Sequence, residues 1–191
     1  GRCMAVTSVQ IKDTLSSLGV SPGATVLVHA SLKSFGAVDG GASAMVDALR
    51  ETVGSSGNIV VVTISKLDEQ WPLFDVRKTP SICGAVTTEL MSRPYSVRSL
   101  HPMSSAAVLG CDAEELCKGH EDSATPCGPE SPYGKIFLKG GTVLFMGAPF
   151  TSNSLFHVAE EIADGSFGWV GFRWNSPRRN ATARFAQNVL G

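Results

Sequence analysis

Residues 24–29 read ATVLVH, residues 58–63 read NIVVVT, and the segment between them includes residues 43–53, SAMVDALRETV. Both short runs are continuously apolar and rich in β-branched residues, which is typical of strands buried on both faces. In the middle segment, apolar residues recur at helical spacing. They are Met45, Val46, Leu49 and Val53. A strand, a helix and a strand within about 40 residues predict a βαβ unit with parallel strands.

Elements of the same kinds follow along the chain. The predicted elements are strands over residues 105–109 and 142–147, helices over 84–91, 112–118 and 155–163, and one turn of helix at most over 134–138. Asp112 and Glu115 suggest a capping box at the start of the 112–118 helix. Alternating strands and helices are typical of layered α/β domains. We therefore predict an α/β fold for residues 1–164, a layered α/β/α sandwich with a mostly parallel central sheet.

The last segment of the chain differs in charge from the rest. Residues 165–191 contain four arginines and no acidic residue, whereas all 17 acidic residues lie in residues 1–164. We predict a short basic C-terminal extension over 165–191, with a final helix favoured over 181–190. Two interpretations of this basic segment stay open: a surface that is simply solvated, or a surface that contacts an anionic partner.

Overall composition excludes several classes of protein. The chain has 191 residues, of which 43% are hydrophobic and 17% charged, which argues against a disordered chain. Its formal net charge of −1 gives no reason to expect nucleic acid as a partner. No apolar run reaches the roughly 18 residues of a membrane span, and no apolar segment of a signal peptide follows Arg2. We expect a cytoplasmic protein whose five cysteines are reduced thiols without metal-binding spacing.

Three of the four histidines lie where α/β domains place ligands. His29 ends the first strand, beside the crevice at the carboxyl ends of parallel strands. His101 lies in an extended segment before a short strand, and His157 lies on a helix soon after the third strand. For each of them, a satisfied structural histidine is the alternative. His120 lies in a polar run, and we interpret it as a surface residue.

His157 has the most specific surroundings of the four. On a helix, Glu160 and Glu161 share its face, because they follow it by three and four residues. A carboxylate beside an imidazole fixes its tautomer and favours a base able to take a proton from an amine or hydroxyl. The spacing alone is also common on charged helix faces. It is not the zinc motif H-E-x-x-H, and we predict no metal.

The loop after the first strand offers groups that bind phosphate. Residues 30–41 contain hydroxyls, one lysine and small residues before a helix N-terminus. The loop matches neither established phosphate-loop motif, so an ordinary glycine-rich connection is the alternative. No G-x-S-x-G elbow occurs, which favours direct attack by an acceptor over a covalent acyl-enzyme.

Taken together, these stretches resemble the aminoglycoside 3-N-acetyltransferase family, which is distinct from the larger GNAT superfamily of acetyltransferases. The resemblance spans roughly residues 18–164. It rests on VLVHASLKSFG (26–36), GNIVVVT (57–63), TPS (79–81), HP (101–102), GPESPYGK (128–135), GTVLFMG (141–147) and SNSLFHVAE (152–160). Their order and approximate spacing make the combination specific.

The resemblance implies an enzyme that moves the acetyl group of acetyl-CoA to an amine of an aminoglycoside antibiotic, and so a role in antibiotic resistance. It implies His157 as catalytic base with Glu160 as its partner, and further active-site positions at His29 and His101. The implied CoA-binding residues are Ser31, Leu32, Lys33, Ser34, Phe35 and Gly36 in the loop, with Thr79 and Ser81. The implied partners are a CoA thioester and a small amine acceptor, with a homodimer possible and neither nucleic acid nor membrane expected.

One departure concerns the acceptor. Members of the family continue beyond this length with an acid-rich portion that helps to form the acceptor site, whereas residues 165–191 are basic and show no match to it. Three alternatives therefore stay open: an acyltransferase for a non-antibiotic amine, a catalytically silent relative that binds CoA, and an unrelated phosphate-binding hydrolase.

Overall fold

The computed structural model describes residues 4–65, 73–123, 125–163, 169–175 and 180–186. The helices are α1 (Ser8–Ser17), α2 (Gly41–Val53), α3 (Ala85–Ser92), α4 (Ala113–Cys117), α5 (Pro132–Leu138) and α6 (Leu155–Ala163). The strands are β1 (Thr25–Ala30), β2 (Asn58–Ile64), β3 (Val97–Arg98), β4 (Ser104–Gly110), β5 (Thr142–Met146), β6 (Trp169–Asn175) and β7 (Asn180–Ala186). Short 3-10 helices cover Leu32–Phe35, His120–Asp122 and Phe150–Ser152.

Five strands form one sheet in the order β3-β4-β2-β1-β5. β1 pairs in parallel with both β2 and β5, and β4 pairs antiparallel with both β2 and β3. Four strands of this sheet therefore point the same way, and β4 alone points the other way. The predicted βαβ unit and the mostly parallel sheet are confirmed.

Helices cover both faces of this sheet. Alternate strand residues such as Val26, Val28 and Val61 pack with α1, α2 and α3 on one face. Their neighbours Leu27 and Val60 pack with α4, α5 and α6 on the other. Because both faces are buried, the centres of β1 and β2 are apolar at consecutive positions rather than at every second one. The predicted α/β/α layering is confirmed.

Two helix starts differ from the sequence prediction. At the start of α4, the Asp112 side chain makes no capping hydrogen bond. Asn58 Nδ2 donates to its carboxylate instead, at 3.1 Å, so the predicted capping box is wrong. α5 begins at Pro132, because Ser131 Oγ accepts a hydrogen bond from the Gly134 amide at 3.0 Å and proline suits a first helical position.

The last two strands pair with each other. β6 and β7 are antiparallel, with Trp169 opposite Ala186 and Asn175 opposite Asn180. The helix predicted over 181–190 is therefore wrong as far as residue 186, because strand pairing decides a segment that has no clear helical period. Residues 187–190, and the predicted boundary at 164, lie outside the described residues. None of the described helices is long and apolar enough to cross a membrane.

Candidate active site

A cavity of about 320 Å³ lies at the carboxyl ends of β1 and β2. These ends meet at one edge of the sheet because the two strands run parallel. The polar residues that line the cavity are His29, Cys83, Thr87, Ser152 and Ser154. Ser154 immediately precedes α6, so the cavity lies between the end of β1 and the start of that helix.

His29 connects β1 to the start of α6. Its side chain is buried, and its ring stacks on Phe145 of β5 with 5.4 Å between ring centroids. Its Nε2 accepts a hydrogen bond from the Ser154 amide at 3.4 Å. Burial lowers the pKa of His29 below its ordinary value of 6.5, so the imidazole is neutral near neutral pH.

His157 and Glu160 form the contact predicted from their spacing. His157 Nδ1 lies 3.0 Å from Glu160 Oε2, and the two side chains are 52% and 42% exposed. The bond to a carboxylate places a proton on Nδ1 and leaves the Nε2 lone pair available. The contact is confirmed, whereas the catalytic role of these residues stays a prediction.

Glu161, the other candidate partner, faces a different way. Its carboxylate accepts a short hydrogen bond from Thr125 Oγ1 and another from the Cys127 amide. Burial raises the pKa of Glu161 above its ordinary value of 4.5, because desolvation disfavours the charged form. Glu161 therefore ties α6 to the segment that precedes α5. Sequence spacing placed it near His157 but gave no sign of this link.

The predicted CoA-binding loop forms a 3-10 helix over Leu32–Phe35. The Ser31 amide donates to the Met146 carbonyl at 2.9 Å, which fixes the start of the loop to the end of β5. Lys33 is exposed, and it forms no ion pair with any residue that the structure describes. A solvated cation at the sheet edge suits a phosphate group, although CoA binding by this loop stays a prediction.

Gly147 lies where this loop meets the end of β5. Its φ is +71°, a region that favours glycine. A Cβ atom there would lie 2.8 Å from Ser34 Cβ, 3.0 Å from the Ser31 carbonyl oxygen and 3.1 Å from Phe35 Cε2. Only a residue without a side chain lets the strand end and the loop approach so closely.

Thr79 and Ser81 use their hydroxyls within their own loop. Thr79 is buried, and its Oγ1 accepts from the Asp75 amide at 2.8 Å. Ser81 Oγ accepts from the Cys83 amide at 3.1 Å. These bonds give each hydroxyl a structural use, and a role in binding CoA remains a prediction for both.

Sequence reasoning missed Arg98, which organises the same edge from the end of β3. Its guanidinium donates to the hydroxyls of Thr63, Ser65 and Ser105 and to the Thr79 carbonyl. It also lies over the Phe74 ring, 5.1 Å from the centroid. Burial lowers its pKa to about 10, so it stays charged near neutral pH. A single arginine in a two-residue strand carries no motif that could have revealed this.

His101 is not among the residues that line the cavity. It is 1% exposed, its ring stacks on the His120 ring with 4.6 Å between centroids, and its Nδ1 accepts from the Ser104 amide at 3.1 Å. This environment suits a structural residue. The catalytic role of His101 stays a prediction.

His120 is fully buried, so its interpretation as a surface residue is wrong. Gly119 adopts a left-handed conformation before the 3-10 helix His120–Asp122, and the His120 ring lies in the core despite its polar neighbours. Its Nδ1 bonds Ser99 Oγ at 2.8 Å, and its Nε2 bonds the Pro126 carbonyl at 2.9 Å.

The described residues also bear on metal and thiol chemistry. Among the described residues, no group of three or more His, Cys, Asp or Glu side chains is arranged to hold a metal ion. Cys83, Cys111, Cys117 and Cys127 are free thiols, and Cys3 lies outside the described residues.

Comparison with known proteins identifies relatives of the whole fold. The family model for aminoglycoside 3-N-acetyltransferases matches residues 27–184, and so extends into the segment that we had not matched by sequence. Aminoglycoside N(3)-acetyltransferase III from Salmonella sp is 34% identical over 193 residues, covering 91% of this chain and 67% of the relative.

Solved structures of aminoglycoside acetyltransferases have the same fold as this chain. AAC-IIIb in a binary complex with CoASH superposes with a TM-score of 0.82 at 25% identity, over 95% of this chain and 75% of that one. AAC-VIa bound to sisomicin superposes with a TM-score of 0.85 at 26% identity, over 97% of this chain and 77% of that one. The chain spans 65% to 67% of the length of the curated relatives of type III that it matches.

Proposed function

The chain belongs to the aminoglycoside 3-N-acetyltransferase family, and on that premise we propose that it transfers the acetyl group of acetyl-CoA to an amine of an aminoglycoside. The observation that carries the proposal is the placement of the His157–Glu160 pair. Ser154 lines the cavity at the sheet edge, and His157 follows it by three residues on α6. At about 1.5 Å of rise per residue, His157 lies within one helical turn of Ser154, and Glu160 lies one turn further along the helix.

His157 acts as the general base. A protonated amine has no free lone pair, so the neutral amine attacks, and a base must take a proton from its nitrogen as the bond to the carbonyl carbon forms. The bond from Nδ1 to Glu160 leaves Nε2 as the proton acceptor, and the carboxylate stabilises the imidazolium that forms. The exposure of His157 gives a bulky acceptor access to that nitrogen.

Transfer takes place directly between the two substrates. The amine nitrogen forms a bond to the thioester carbonyl carbon while its proton passes to His157 Nε2. The resulting tetrahedral intermediate collapses, the carbon–sulfur bond breaks, and the sulfur leaves with the electron pair and takes the proton from His157. The products are an amide and CoASH. Holding the amine and the thioester side by side supplies much of the rate.

The donor lies along the loop of residues 31–36. Lys33 and the first backbone amides of the 3-10 helix offer positive charge to the phosphates of CoA, and the cavity receives the thioester end. Two findings support this arrangement. The loop lies at the same sheet edge as the cavity, and a related structure holds CoASH.

The test is acetyl transfer followed by mass spectrometry, with acetyl-CoA and a panel of aminoglycosides and simple amines. We expect one added acetyl group on an aminoglycoside. An acetylated simple amine with no aminoglycoside product would mean that the acceptor is a non-antibiotic amine. Saturable CoA binding with no product on any amine would contradict catalysis and favour a silent relative.

A matched pair of variants tests the base. His157→Ala should abolish most turnover and leave CoA affinity, measured by calorimetry, within about twofold, because a base acts in the chemical step. Ile162→Ala is the control, since Ile162 is an exposed residue of the same helix. Equal losses in the two variants would assign the effect to the helix rather than to the imidazole.

A further inference from the structure

In the neutral His29 ring, at the end of β1, one of the two nitrogens already forms a hydrogen bond within the protein. A backbone amide can only donate, so the bond from the Ser154 amide requires a lone pair on His29 Nε2. The ring proton is therefore on Nδ1. No acceptor among the described residues takes a hydrogen bond from that Nδ1–H.

This arrangement argues against His29 as a second base. Its only unprotonated nitrogen is already used by the start of α6, and burial opposes protonation. Stacking on Phe145 fixes the plane of the ring. What His29 offers to the cavity that it lines is a fixed, neutral N–H donor.

We propose that His29 donates a hydrogen bond from Nδ1–H to the carbonyl oxygen of the acyl donor as that oxygen gains negative charge. The inference rests on the proposed acetyl transfer and assigns this histidine a catalytic task distinct from that of His157. When the amine bonds to the carbonyl carbon, the π electron pair moves to the oxygen, and Nδ1–H stabilises that oxyanion. When the carbon–sulfur bond breaks, the pair returns and the hydrogen bond weakens.

The location of the cavity fits separate roles for His29, as hydrogen-bond donor, and His157, as base. It lies between His29 at the end of β1 and Ser154 at the start of α6, and His157 follows one helical turn later. A thioester carbonyl in the cavity can therefore meet His29 from the sheet side and an amine from the α6 side. A preorganised donor in a water-poor site is more effective than one in water, because it needs no reorganisation.

Two substitutions separate the two nitrogens of His29. The glutamine amide reaches the position of Nε2, so His29→Gln keeps an acceptor for the Ser154 amide and removes the Nδ1–H donor. The asparagine amide reaches only the position of Nδ1, so His29→Asn keeps a donor toward the cavity and removes the link to α6. We expect His29→Gln to lower kcat by about 10²- to 10³-fold with CoA affinity within about threefold. We expect His29→Asn to keep kcat within about tenfold of wild type.

The reverse ranking, or equal losses in both variants, would overturn the proposal. The reverse ranking would mean that His29 only anchors α6. A wild-type protein that acetylates no amine would instead contradict the proposed function, so the two failures are distinguishable. If either variant does not fold, ¹⁵N chemical shifts of the wild-type imidazole decide the matter. A proton on Nδ1 supports the proposal, and a proton on Nε2 overturns it.

Discussion

Two pairs built on histidine show how burial decides what an imidazole does. The exposed pair, His157 and Glu160, lies on α6 with a single ion-pair contact between its members. The buried pair, His101 and His120, stacks ring on ring in the core, and both His120 nitrogens bond protein oxygens. An imidazole in water can gain and lose a proton cheaply, whereas one in the core cannot.

The difference lies in the partners as much as in the burial. Glu160 places a carboxylate beside the His157 ring. His120 faces the His101 ring, and burial lowers the pKa of both histidines. The proposed function predicts a large effect on catalysis at the exposed pair, and the lowered pKa values predict an effect on stability at the buried pair. Four measurements test this contrast.

The largest effect is expected from the exposed pair. His157→Gln should lower kcat by about 10²- to 10⁴-fold, because it removes the proposed general base. Steady-state kinetics measures the loss, and urea unfolding should show stability within about 0.5 kcal/mol of wild type, as for an ordinary surface substitution. If more than a tenth of turnover survives, His157 is not the base.

The buried pair should govern acid stability. Burial lowers the pKa of His120 from 6.5 to about 4, so between these values the unfolded chain binds a proton that the folded protein does not. The free energy of unfolding therefore falls as the pH falls, by about 3 kcal/mol from His120 alone at pH 4. Urea unfolding from pH 4.5 to 8 measures it.

His120→Gln removes the contribution of His120 and should make the pH dependence shallower, while the lowered pKa of His101 keeps part of it. The control is Thr88→Val, which alters an exposed residue that does not titrate and should leave the dependence as in wild type. A His120→Gln protein with an unchanged slope would assign acid sensitivity to other groups.

A third effect should appear at the link that holds α6. Thr125→Val removes the hydroxyl that donates to Glu161 and leaves a half-buried carboxylate with one fewer bond. Hydrogen bonds to charged groups contribute about 1.5–3 kcal/mol, so we expect a loss of about 2 kcal/mol in the free energy of unfolding. Thr88→Val is the control, because the Thr88 hydroxyl is exposed and bonds only within its own helix. Equal losses of unfolding free energy in the two variants would mean that the bond between Thr125 and Glu161 stabilises the protein no more than an ordinary surface hydroxyl does.

The smallest effect is expected at Glu160. An exposed ion pair supplies at most about 1 kcal/mol, which corresponds to about fivefold in rate. Glu160→Gln should lower kcat by no more than about this factor and leave the melting temperature unchanged. A loss as large as that of His157→Gln would mean that the pair acts as a desolvated unit once substrate is bound.

Sequence reasoning predicted the centre of the fold better than its periphery. β1, β2 and β5 were visible because strands buried on both faces are continuous apolar runs. β3 was missed because two residues, one of them Arg98, carry no periodicity. β7 was taken for a helix because its pattern is weak and strand pairing, a non-local interaction, decides its conformation.

The site shows the same division between local and non-local information. The contact of His157 with Glu160 is set by helix geometry, and spacing alone predicted it. The buried bond of His120 to Ser99 and the bonds of Arg98 to Thr63 and Ser65 join segments that are distant in the chain. A polar neighbourhood in sequence is a poor guide when a left-handed glycine redirects the chain, as Gly119 does.

The close approach at Gly147 has a consequence for how this protein can change. No side chain fits between the end of β5 and the loop of residues 31–36, so these segments, more than 100 positions apart in the sequence, cannot vary independently. A laboratory library that randomises the loop to alter donor preference should keep glycine at position 147. One that randomises position 147 alone should recover almost no variant other than the parent.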